Sequence, residues 1–109
     1  MYRGTTPTIV FKVKNDIDFD DLKQVWITLK SLSHELTKTI DELVLNKNDH
    51  TIEMYLTQEE TLEFGTGKVD VQMRLLTNEG HALASKVKNL RMNPILKEGV
   101  IDYERTSTD

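Results

Sequence analysis

Val69-Asp70-Val71-Gln72-Met73-Arg74-Leu75 alternates apolar and polar side chains without interruption. A period of two places Val69, Val71, Met73 and Leu75 on one face of an extended chain and Asp70, Gln72 and Arg74 on the other. This is the longest such row in the sequence, and it predicts a central strand. The same pattern recurs on both sides of it. Ile52, Met54 and Leu56 alternate with Glu53 and Tyr55; Val25, Ile27 and Leu29 alternate with Trp26 and Thr28; Ile9, Phe11 and Val13 form a first strand over residues 8–13. After the central strand, Leu83, Ser85 and Val87 predict another inward row over residues 82–88. Weaker alternation over 34–39 and 42–46 supplies two more short strands.

The connections carry turn chemistry. Residues 15–21 are rich in Asn and Asp, whose side chains favour turns over ladders, with Phe19 and Leu22 available as apolar plugs. Asn46-Lys47-Asn48-Asp49 predicts a hairpin loop and Asn78-Glu79-Gly80 a turn with Gly80 at positive φ. Thr57-Gln58-Glu59-Glu60 has capping-box spacing and predicts one short helical turn near residues 58–62, anchored by Leu62 and Phe64. Pro94 ends any ladder, so Pro94-Ile95-Leu96-Lys97-Glu98-Gly99-Val100-Ile101 reads as a packing or docking segment, followed by a frayed polar tail at 105–109.

Seven short strands with turns between them predict an all-β fold, an antiparallel immunoglobulin-like β-sandwich. The chain of 109 residues is read as a single domain, with its core in about residues 7–92 and a C-terminal docking segment and tail at 93–109. A domain of this size buries roughly two-thirds of its unfolded surface. With no cysteine, no disulfide joins the layers, so burial alone must hold them.

Composition also narrows function. Fourteen basic against eighteen acidic residues give a net charge of -4, which repels a phosphate backbone unless the positive charges cluster, and no nucleic-acid partner is expected. No apolar run approaches the length of a bilayer span, and the opening Met1-Tyr2-Arg3-Gly4 has no apolar stretch of a secretion signal. Neither membrane insertion nor export by a cleaved signal is expected. Cysteine nucleophiles and thiolate metal sites are excluded.

Other chemistry is sparse. Asp16, Asp18, Asp20 and Asp21 lack the glycine and the bidentate glutamate of a calcium loop and read as a solvated turn. His34, His50 and His81 are too dispersed for metal-ligand spacing, and Ser33-His34-Glu35 cannot form a relay because adjacent side chains diverge. Glu60 has a capping task, and Gly65-Thr66-Gly67-Lys68 leads into a strand instead of a phosphate-binding helix. The expectation is a protein that is not an enzyme and carries no cofactor and no metal.

Trp26 and Tyr55 share the outward parity of their strands. If those strands are neighbours, as in an immunoglobulin-like order, the two rings stack across one sheet. The pair then either shields the sheet or forms an exposed aromatic platform for a partner chain or a sugar. With Ile95, Leu96, Val100 and Ile101 of the C-terminal segment, they make up the candidate interaction surface.

Three pieces of sequence, in order, carry a resemblance: Arg3-Gly4-Thr5-Thr6-Pro7-Thr8, Leu56-Thr57-Gln58-Glu59-Glu60-Thr61-Leu62-Glu63-Phe64, and Val71-Gln72-Met73-Arg74-Leu75-Leu76-Thr77-Asn78-Glu79-Gly80. Together with residues 94–101 they resemble a family of small prophage proteins of Gram-positive bacteria encoded among virion structural genes. The resemblance implies a phage structural or adaptor protein with an immunoglobulin-like fold, as in baseplate and tail accessory domains. It implies contacts with other phage structural proteins or self-association, in the bacterial cytoplasm during assembly and in the virion. A carbohydrate-binding module using Trp26 and Tyr55 is the alternative expectation.

Overall fold

Alternation in the sequence becomes burial in the structure. A computed structural model describes residues 1–101, so the frayed tail expected at 105–109 lies outside the described residues. Eight strands run in the order Thr8–Lys12 (β1), Leu22–Lys30 (β2), Glu35–Thr39 (β3), Val44–Asn46 (β4), Thr51–Tyr55 (β5), Gly67–Thr77 (β6), Ala82–Ala84 (β7) and Lys88–Met92 (β8). One helix, Gln58–Leu62 (α1), separates β5 from β6, and 3-10 turns occupy Phe19–Asp21 and Ile40–Glu42.

The strands form two antiparallel sheets. One has the order β1-β5-β4; the other has the order β3-β2-β6-β7, with β8 also paired to β6. Val25, Ile27 and Leu29 of β2 and Val69, Val71, Met73 and Leu75 of β6 face Ile52 and Met54 of β5, all buried. The expected antiparallel β-sandwich with a single short helix is the architecture of the described residues. Phe19 and Leu22 are buried plugs, as their place beside the polar loop suggested.

Three features depart from expectation. The first is strand order. In an immunoglobulin constant-type sandwich the second strand lies beside the fifth. Here β2 lies between β3 and β6, while β5 lies between β1 and β4.

The second is the predicted strand at 82–88, which is two strands. Ala84 stands opposite Arg74 and Lys88 opposite Val71, so four steps along one chain match three along the other. One extra residue is a bulge, and it flips the parity of everything after it. Leu90 and Met92, not Val87, therefore continue the inward row, with Met92 fully buried and Val87 exposed. Ser85 holds the bulge: its hydroxyl oxygen accepts the Met73 N–H at 3.0 Å, and its own N–H donates to the Met73 carbonyl at 2.8 Å.

The third is the loop before β5, where His50, not an Asn or Asp, takes the left-handed conformation at φ 58°. Its ring stacks on Phe19 with centroids 4.5 Å apart, and its Nε2 lies 2.7 Å from the Lys14 carbonyl oxygen. Histidine is among the residues that enter this region more readily than most, and the ring's packing on Phe19 fixes it there.

The inner rows set the stability of the sandwich. Ile27→Ala leaves a cavity between layers and should lower unfolding free energy by about 2–4 kcal/mol in urea titrations. Val87→Ala, in the exposed bulge, should change it by no more than about 0.5 kcal/mol.

Candidate functional site

α1 and the C-terminal segment meet at one end of the sandwich, and the polar side chains that sequence reasoning left unassigned converge there. The helix has only five residues, too few to be stable alone. Its first turn is closed by the predicted capping box: the Glu60 N–H donates to the Thr57 hydroxyl at 3.1 Å, and the Thr57 N–H donates to the Glu60 carboxylate at 2.8 Å. The fully buried Thr61 hydroxyl lies within donating distance of the carbonyls of Thr5 and Gln58, at 3.0 and 3.1 Å. Phe64 is fully buried beneath the turn, with the His34 ring edge-on to it at 4.7 Å.

Charged side chains fix both ends of this helix. At its C-terminal end, where helical carbonyls lack partners, the Arg3 guanidinium donates to Leu62 O at 2.9 Å and Phe64 O at 2.7 Å and pairs with Glu98. At the N-terminal end, Lys38 reaches across from β3. Its side chain shares the inward face with Leu36 and Ile27 and is largely buried. The ammonium donates to Tyr55 O at 2.9 Å and lies 3.0 Å from the Glu60 carboxylate. Burial acts to raise the Glu60 pKa, but the Thr57 N–H and the Lys38 ammonium outweigh it and hold the carboxyl below its ordinary value.

The segment after β8 wraps onto this assembly. Arg3 N–H donates to Asn93 O at 3.0 Å, and Asn93 N–H donates to Met1 O at 2.6 Å. Gly4 sits at φ +71°, a conformation that favours glycine, and Ile95 packs against it with its Cδ1 2.9 Å from where a Cβ would stand. Farther along, the Gln58 amide grips the Ile101 backbone twice: Nε2 donates to its carbonyl at 3.0 Å, and Oε1 accepts its N–H at 2.6 Å. Between these ties the arm of residues 94–101 presents apolar side chains outward. Leu96 is fully exposed, and Val100 and Ile101 are more than half exposed.

The predicted surface residues therefore separate into three places. Ile95 is half-buried on Gly4, whereas Leu96, Val100 and Ile101 line the outer side of the arm. Trp26 is half-buried on the outer face of the larger sheet, between Thr39 and Arg74, beside a shallow hollow of about 450 Å³. Tyr55 is half-exposed on the outer face of the other sheet, its hydroxyl donating to Glu53 at 3.1 Å, a bond to a carboxylate that raises the phenol pKa. With β2 and β5 in different sheets, the two rings stand on opposite outer faces of the molecule and form no joint platform. His34, His50 and His81 occupy separate loops, and among the described residues no three His, Cys, Asp or Glu side chains gather as a metal site would require. No helix among the described residues is long and apolar enough to cross a membrane.

The sequence assigns no positioning role to Arg3, Lys38 or Gln58. Only the parity of Lys38 with Leu36 hinted that its stem would point inward; the grips by Arg3 and Gln58 join positions 95 and 43 residues apart and leave no local signature. No family model matches the chain, and neither the curated proteins nor the solved structures contain a match to it.

The Glu60 carboxylate gives a pH test. A carboxyl held below its ordinary value of 4.5 in the folded chain stabilises the fold above that pH, and the stabilisation is lost as pH falls through the lower folded value. Urea midpoints measured from about pH 6 down to about pH 3 should fall less steeply for Glu60→Gln than for the parent chain.

Proposed function

We propose that this chain is a non-enzymatic structural or adaptor module of a phage tail or baseplate assembly, joining its neighbours through the C-terminal arm. The observation that carries the reading is the division of labour within that arm. Its two ends are tied to the chain itself, by backbone hydrogen bonds at Asn93 and by the Gln58 amide at Ile101, while Leu96, Val100 and Ile101 face solvent. A segment anchored at both ends but presenting apolar side chains outward is partly pre-ordered for docking, since the anchors remove some of the conformational freedom that binding would otherwise cost.

The resemblance of its ordered motifs to small prophage proteins supports the phage setting. The groups that brace α1 support the adaptor reading, because Arg3 is engaged by the Leu62 and Phe64 carbonyls and Glu98, Lys38 by Glu60, and Gln58 by Ile101. They hold a surface in place.

Cross-linking of purified phage particles should recover the chain covalently joined to neighbouring tail or baseplate proteins. Leu96→Asp combined with Val100→Asp should abolish those cross-links while leaving the urea midpoint nearly unchanged, because both side chains are exposed. Absence of the parent chain from purified particles would overturn the reading.

A further inference from the structure

At the other end of the β1–β5 ribbon a groove opens between β1 and β7, lined by apolar side chains and lysines. Val13, Ile17, Met73, Leu75 and Leu83 form its floor, and its volume is about 510 Å³. Leu83 stands opposite Leu75 and shares its inward face, yet is about half exposed, because the smaller sheet ends at β1 and no described segment covers β7. Lys12, Lys14, Lys86 and Lys88 line the same groove, all exposed. None of these four lysines pairs with a carboxylate among the described residues. Asp16 and Asp18 flank Ile17 but line a separate hollow with Lys47 and His50. Both β1 and β7 are edge strands, so backbone donors and acceptors are also open along the groove.

An apolar floor under four unpaired ammonium groups selects an extended segment that alternates apolar and acidic side chains. The chain carries one: Val100-Ile101-Asp102-Tyr103-Glu104 places Ile101 and Tyr103 on one parity and Asp102 and Glu104 on the other. It cannot reach the groove of its own molecule. Ile101 is held by Gln58, beyond the end of the ribbon where Thr8 faces Tyr55, whereas the lysines begin at Lys12, which faces Thr51. Those ends lie on the order of 20–25 Å apart, whereas the three residues from Ile101 to Glu104 can span at most about 10 Å.

We propose that the lysine-rimmed groove between β1 and β7 receives the acidic segment after Val100 of a second copy of this chain. Ile101 and Tyr103 cover Leu83 and the floor, and Asp102 and Glu104 meet the lysines. The contact is head-to-tail, because the groove and Ile101, from which the segment leaves, lie at opposite ends of the β1–β5 ribbon, and so it propagates into a ring or a filament. It rests on the adaptor reading only in using the same arm.

Sedimentation velocity on the full chain tests this. Self-association should appear as concentration rises, and it should weaken by about tenfold or more between low and high salt, as a contact between exposed charges does. Lys12→Glu with Lys86→Glu should abolish it, as should Asp102→Lys with Glu104→Lys. Mixing the two variants should restore a mixed assembly, which loss of folding in either one would not permit. A parent chain that stays monomeric at every concentration, or variants that associate as the parent does, would overturn the proposal. A monomeric chain that still cross-links within particles would leave the adaptor reading standing; a self-associating chain absent from particles would do the reverse.

Discussion

The antiparallel ladder between β2 and β6 is the contact on which the rest of the molecule hangs. Along it Ile27 faces Met73 and Leu29 faces Val71, so both strands turn their apolar rows toward the smaller sheet at once. A slip of one residue would carry both rows to solvent, and the lack of any disulfide means that no covalent tie would resist it. The ladder is pinned at its far end, where the Asn78 N–H donates to Asp21 O at 2.8 Å and the register shifts between Leu22 and Gln24. Everything else attaches to this pair: β3 to one side, β7 and β8 to the other, and β5 across the interface.

Lys38 is the costly exception within that interface. Removing an ammonium from water is unfavourable unless other groups replace its hydration. Here a backbone carbonyl and the Glu60 carboxylate do so. Replacing the pair with apolar side chains would keep the layers together but would free the N-terminus of α1, which is too short to persist unaided. The value of the pair is therefore positional. It links β3 to the cap of α1, α1 grips Ile101 through Gln58, and the exposed face of the arm inherits a fixed orientation from a bond made inside the sandwich.

Local pattern was enough to read most strands and the capping box, because a period of two and a Thr-x-x-Glu spacing are properties of adjacent residues. What stayed hidden depended on relations between distant parts. The bulge at Ser85 is invisible in a run where 83, 85 and 87 alternate correctly; only the register against β6 shows the extra residue that hands the inward face to Leu90 and Met92. The pairing of Trp26 with Tyr55 required β2 beside β5, and strand order is set by which rows bury most area together, which periodicity does not encode. Parity, in turn, was read correctly at Leu83, but parity says which way a side chain points and not whether anything lies opposite.

That distinction explains why the two ends of the sandwich differ. Three strands cannot cover the face of a larger sheet, so an uncovered strip of inward-pointing side chains is forced by strand count alone. At the arm end the strip is closed by the N-terminal segment, α1 and Ile95, held through Arg3 and Asn93. At the β7 end no described segment performs this closure, and Leu83 remains open between strand edges. Exposed edges beside apolar surface invite unselective pairing with other chains, and lysines on such edges discourage it. Lys12, Lys14, Lys86 and Lys88 therefore act in the isolated chain as a guard that rejects neutral and basic strands. The same four charges leave the edge open to acidic ones, so protection from aggregation and choice of partner follow from a single arrangement of residues.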